Sequence, residues 1–138
     1  IKPNEKLINK LKLENVKLLG YKTGRELKEI IRQARFVVVP SEWYENAGYV
    51  VLESFASGRA VIASKSAGLQ ELIEDNKDSL LFAPGNLEEL ADKIQFLADN
   101  PSLARNMGRQ ARIKVETKYS PKLHYEGLQR IYQELLCS

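Results

Sequence analysis

The chain has 138 residues, enough for one domain with a real hydrophobic core. Its composition, 43% hydrophobic and 28% charged, excludes a disordered or collagen-like chain, and no apolar run approaches the roughly 20 residues of a membrane span. A single cysteine, Cys137, excludes an internal disulfide framework and a cysteine-based zinc cluster; with no basic-then-apolar leader visible, a reducing, cytoplasmic setting is expected.

The net charge of +3 conceals three blocks. Residues 1–35 carry ten Lys/Arg against four Asp/Glu, residues 36–100 four against eleven, and residues 101–138 seven against three. Solvated surface is the ordinary use of such blocks, although a basic flank can also attract an anionic lipid surface. Neither an aromatic-and-glycine RNA-binding motif nor zinc-finger spacing is present, so nucleic acid is not an expected partner.

Read in chain order, residues 3–14 predict a helix: Pro3 suits a first turn, and Leu7, Ile8 and Leu11 share a face. Val16 to Leu19, ended by Gly20, predicts a strand. Thr23 and Glu26 have capping-box spacing and open a helix carrying Leu27, Ile30, Ile31 and Ala34. Phe36 to Val39 is a β-branched strand stopped by Pro40. After a polar and aromatic loop, Gly48 to Ser57 predicts a helix with Gly58 as its stop.

Ala60 to Ala63 predicts a buried strand, Gly68 to Glu74 a short helix, and Ser79 to Phe82 a last strand before Pro84 and Gly85. Three helices follow: from Asn86 to about Asp99, from Pro101 with Leu103, Met107, Ala111 and Val115 four apart, and from Ser120-Pro121 through Leu136. Strand–helix alternation with strands apolar on both faces predicts an α/β fold with a parallel sheet. The closing run of helices is expected to lie peripheral to the sheet.

Ligands of open α/β sheets bind beyond the carboxyl ends of the strands. The longest such loop runs from Pro40 into the helix at Gly48. A helix N-terminus offers unpaired N–H groups and a positive dipole end, which suits phosphate, and Ala47 and Gly48 are small enough for close approach. Glu45 precedes this helix and Glu53 lies inside it. Carboxylates accept hydrogen bonds from sugar hydroxyls, so a nucleotide sugar fits the pattern. On spacing alone, two glutamates eight apart are weak evidence, and a dipole-favouring Glu45 with a solvated Glu53 is the readier account.

Phe36 to Glu74 resembles the C-terminal, nucleotide-sugar-binding half of retaining GT-B glycosyltransferases of the family 4 type (glycosyl transferases group 1). The signature is Pro40-Ser41, Glu45, seven residues, Glu53, Gly58 and the strand Ala60-Val61-Ile62-Ala63, followed by Ala67-Gly68-Leu69-Gln70-Glu71. Val16 to Ala34 before it and Leu80 to Asn86 after it match the neighbouring units.

The resemblance implies a Rossmann-like parallel sheet with helices on both faces, the chain forming one partial donor-binding domain over residues 1–138. It implies that Glu45 and Asn46 meet the donor sugar, that Glu53 meets the ribose, and that the backbone of Ala47, Gly48, Tyr49 and Val50 faces the diphosphate. The loop containing Tyr21 and Lys22 lies where the base contacts backbone. Ala47 departs from the aromatic residue that many members carry.

Also implied are sugar transfer with retention and without a metal or other cofactor, from a UDP-, GDP- or ADP-sugar. The family's first strand–helix–strand, with an Arg and a Lys, and its acceptor-binding N-terminal half match nothing here. The chain is therefore expected to need that half in cis or trans and to be inactive alone, with a nucleotide-binding or regulatory module as the alternative. Without those strands, the Val16 strand is expected either to pair with the Phe36 strand or to leave an edge open to self-association. Peripheral contact with the inner membrane face is a further expectation. His124, Cys137 and Lys65 read as surface or packing residues rather than as site residues; Glu71 reads equally as a donor contact or as a capping or packing residue, and Trp43 and Tyr44 as either cleft lining or loop anchors.

Overall fold

The computed structural model describes residues 6–8, 10–41 and 48–137. Its elements are α1 (Gly24–Gln33), β1 (Val37–Val39), α2 (Tyr49–Ala56), β2 (Val61–Ser64), α3 (Ala67–Leu72), β3 (Leu80–Phe82), α4 (Leu87–Asp99), α5 (Pro101–Lys118) and α6 (Pro121–Leu136). The strands form one parallel sheet in the order β1-β2-β3. Val37 pairs with Val61 and Val39 with Ala63, while Ile62 pairs with Leu80 and Ser64 with Phe82. Every residue of β2 is buried, as a central strand covered on both faces requires.

Strand alternation separates two cores. Val39, Val61, Ala63 and Leu81 pack with Val51 and Phe55 of α2 and Leu69 of α3 on one face. Ala60, Ile62, Leu80 and Phe82 pack with Leu97 of α4 on the other. The helix α5 enters both: Ala104 and Met107 join the second cluster, Ala111 the first. It passes from one to the other at Gly108, where an added Cβ would stand 2.2 Å from the Gly58 carbonyl oxygen and 3.2 Å from the Ala60 nitrogen. The expectation that the last three helices are peripheral is thus corrected. Only α6 has no buried residue among those described.

The helix ends explain themselves locally. The α2 helix stops because Gly58 adopts φ +69°, letting its N–H reach the Phe55 carbonyl and the Arg59 N–H reach that of Ser54. Asn86 and Ser120 cap α4 and α5's successor α6 by accepting from the Glu89 and Leu123 N–H groups. The capping box expected at Thr23 does not form: Thr23 makes no side-chain cap, and Glu26 pairs instead with Lys22 at 2.5 Å.

The expected strand at Val16 to Leu19 is also absent. These residues form neither helix nor strand, and Val16, Leu18 and Leu19 are exposed. A strand exists only where a second backbone takes up its N–H and C=O groups. Among the described residues β1 pairs with β2 alone, so the proposed pairing of the Val16 segment with Phe36 to Val39 does not occur. Of the first expected helix, residues 6–8 and 10 are helical, and it closes with Leu11 N–H on the Leu7 carbonyl. No described helix is long and apolar enough to cross a membrane.

Lys114 of α5 ties the helix to the segment before β3. Its Nζ donates to the Leu72 carbonyl at 3.1 Å, to Glu74 at 3.0 Å and to the Asp78 carboxylate, and lies 5.9 Å from the centre of the Phe55 ring. Asp78 is fully buried, and burial pushes its carboxyl above the ordinary range against the pull of Lys114. Glu74 is only half-buried, and its hydrogen bonds with Lys77 and Lys114 hold it down at about 2.

Two outcomes follow from this packing. Gly108→Ala gains about 1 kcal/mol of helix propensity, but its Cβ meets backbone that cannot rotate aside. The net change expected in urea unfolding is a loss of about 1–3 kcal/mol; a neutral or stabilised variant would show that α5 can lift off the Gly58 turn. The second concerns pH. Because the fold favours charged Glu74, its stabilisation is complete above its ordinary value of 4.5 and disappears as the pH falls toward about 2. The stability difference between the native chain and Glu74→Gln is therefore expected to shrink across that window. A difference that stays constant over it excludes the ion pairs as its source.

Candidate functional site

The three parallel strands end together at Val39, Ser64 and Phe82. The segments that follow them share that end of the sheet. The Ser64 hydroxyl donates to the Ser41 carbonyl, fixing the departure of the loop after β1, and the Lys65 N–H donates to the Phe82 carbonyl at 2.8 Å. Ser66, the next residue, has a buried hydroxyl with no partner among the described residues.

The helix α2 begins at this end on Gly48, which adopts φ +50° and ψ +38°. Its carbonyl accepts from the Val51 N–H at 2.9 Å and the Leu52 N–H at 3.1 Å. The N–H groups of Tyr49 and Val50 take no partner among the described residues, as the first turn of an α-helix dictates. Gly48 is buried, and a Cβ there would stand 2.7 Å from Leu72 Cδ1 and 2.9 Å from Leu69 Cδ2. Its smallness therefore serves the packing of α3 against the start of α2, not only the approach of a ligand.

Of the residues singled out in the sequence, Tyr49 and Glu53 come together. They stand one helical turn apart and line one groove of about 890 Å³ between α1, α2 and α5. Glu53 is exposed and has no hydrogen-bond or ion-pair partner among the described residues, so both its oxygens are free to accept. Val50 is 44% exposed and Tyr21 88% exposed; neither lines the groove. Lys22 is half-buried and occupied by Glu26. Glu45, Asn46 and Ala47, with Trp43 and Tyr44, lie outside the described residues.

Sequence reasoning missed the opposite wall of the groove. Arg25, Lys28 and Arg32 of α1 face α2 across it, together with Glu29. Their spacing of three and four places them on one helical face, which is a legible signal. Among the described residues, the groove thus joins an unpaired carboxylate and a row of unpaired cations next to the N-terminus of α2. That combination can receive the hydroxyls of a sugar and the charge of a phosphate.

Comparison with known proteins places the chain in a family. Residues 2–114 match the family model described as glycosyl transferases group 1. An uncharacterized glycosyltransferase of Methanocaldococcus jannaschii, MJ1178, is 32% identical over 131 residues, which are 95% of this chain and 37% of that protein. Among solved structures, sucrose-phosphate synthase from Thermosynechococcus elongatus superposes with a TM-score of 0.86 at 28% identity, covering 99% of this chain and 34% of that one. A mutant of S. aureus TarM, in complex with UDP, alpha-GlcNAc-glycerol and fondaparinux, superposes with a TM-score of 0.86 at 32% identity, covering 95% and 26%. The chain spans about a third of the length of the first curated relatives it matches. In sequence and in its GT-B-type α/β architecture, it belongs to the glycosyl transferases group 1 family.

Proposed function

We propose that this chain is the donor-binding portion of a glycosyltransferase that moves a sugar from a nucleoside-diphosphate sugar to an acceptor, with retention and without a metal. The observation that carries the reading is the open N-terminus of α2, with the partnerless Glu53 one turn along the same helix. In this reading the Gly48, Tyr49 and Val50 amides receive the diphosphate, where the positive helix end offsets its charge. Glu53 accepts from the two ribose hydroxyls, for which a carboxylate has the right pair of oxygens. Glu45 and Asn46 hold the sugar ring, Ala47 leaves room beside it, and the backbone at Tyr21 and Lys22 borders the base.

Transfer needs stabilisation of the leaving diphosphate as its charge develops. The amides of the α2 N-terminus supply part of it. The remaining length of the relatives supplies the rest, together with the acceptor site, so the chain alone is expected to bind donor without turning it over. UDP is the nucleotide to try first, since the 32% identical TarM structure holds it.

The test is a titration of amide NMR shifts with UDP, GDP, ADP and their sugar conjugates. Saturable shifts at residues 48–50 and 53 are expected with one base. Glu53→Ala is expected to weaken binding at least about tenfold, equivalent to about 1.4 kcal/mol, while leaving the melting temperature unchanged because Glu53 supports no other residue. Shifts that persist unweakened in Glu53→Ala would overturn the role given to the ribose contact.

A further inference from the structure

The far end of α2 presents a different arrangement. There the Gly58-Arg59 turn is flanked by two adjoining open hollows of about 250 and 320 Å³, which share Arg59 and Arg105. Arg109 lines the first and Arg35 the second. Four arginines from three separate segments thus converge, and none of the four has a carboxylate within ion-pair distance among the described residues. Arg59 donates one guanidinium N–H to the Arg32 carbonyl at 2.6 Å. Its Nε is buried and has no acceptor.

Four like charges repel one another, and a surface without function would disperse them or intersperse carboxylates. The fold does the reverse. It takes the first basic block, which ends at Arg35, and the last, which begins on α5, and seats both around the lone arginine of the β2 approach. A guanidinium offers a planar fork of donors matched to phosphate oxygens. Pro101 and Ala104 in the lining bring the first turn of α5 alongside, so its dipole adds to the arginine field.

We propose that Arg35, Arg59, Arg105 and Arg109 form a second binding site, for a phosphate-bearing ligand, at the opposite end of α2 from its N-terminus. The eight residues of α2 span about 12 Å between the N-terminal amides and this site, and the groove that holds Glu53 adjoins it at Gly58. Nothing in this assignment depends on the donor reading.

The experiment uses inorganic pyrophosphate and, separately, vesicles of phosphatidylcholine with or without phosphatidylglycerol. Amide shifts of this chain are followed at Arg59, Ala104 and Arg105; shifts at residues 48–50 report the donor end instead, so either reading can fail alone. The variant Arg35→Gln/Arg105→Gln/Arg109→Gln leaves Arg59 and its internal bond in place, and its melting temperature is expected to match the native one. The control Lys93→Gln/Lys118→Gln/Lys122→Gln removes the same charge elsewhere.

Saturable shifts at Arg59 and Arg105 with pyrophosphate are expected, weakened at least tenfold in the arginine variant and less than twofold in the lysine control. The same pattern with phosphatidylglycerol vesicles alone identifies a lipid headgroup as the source of the phosphate. No response to either probe overturns the proposal. Equal weakening in both variants also overturns it, because net charge alone would then account for the binding.

Discussion

The structure depends on the crossing of α5 over the backbone at Gly58 to Ala60. A three-stranded sheet has two faces to cover, and its short strands give each face little width. The helix α5 serves both, placing Met107 on one side and Ala111 on the other. The two stand four positions apart, and only at Gly108 between them can the helix axis come close enough for both to bury. The Gly58 turn is the other half of that contact. Its left-handed backbone ends α2 and lays down the strand β2 in the same few residues.

Lys114 then fixes the rotation of α5 that this close approach permits. Removing the ammonium would leave the fully buried Asp78 carboxylate without its counter-charge, a loss typically of about 3–5 kcal/mol. The Asp78 carboxylate also accepts from the Glu74 N–H at 3.1 Å, so the same group shapes the turn that feeds β3. One end of α5 thus sets the position of the last strand. The other contributes to the arginine cluster. The helix couples the register of the sheet to the placement of surface charge, and its Arg112 and Val115 also line the groove that holds Glu53.

Much of this was legible in the sequence because apolar periodicity and helix-end chemistry are local. The strands at Val37, Val61 and Leu80 and the helices after Gly48, Asn86, Asn100 and Ser120 all begin within a residue or two of where pattern and caps put them. The failures were non-local. Val16 to Leu19 has the composition of a strand, but composition does not supply a neighbour. Thr23 and Glu26 have the spacing of a capping box, but Lys22 competes for the same carboxylate. The bridging role of α5 was hidden because Leu103, Met107, Ala111 and Val115 form one continuous stripe that reads as a single face. Of the candidate site, Tyr49 and Glu53 were found by motif. The cations of α1 were visible as a row but gained meaning only when the fold put them across from Glu53.

Several carboxylates serve the scaffold. Asp75 accepts from the Leu81 N–H at 2.8 Å, and Glu89 from the Ala83 N–H at 2.8 Å; Glu74 and Asp78 meet Lys114. Each of these groups ties a strand end or a helix to its neighbour. The Glu53 carboxylate has no such partner among the described residues. It sits on a helix whose packing is supplied by Val51, Ser54 and Phe55, facing a row of cations that are not close enough to pair with it. In the proposed reading, a bound donor supplies the hydrogen bonds that Glu53 lacks among the described residues. The same reasoning, with the sign reversed, applies to the arginines at the other end of α2.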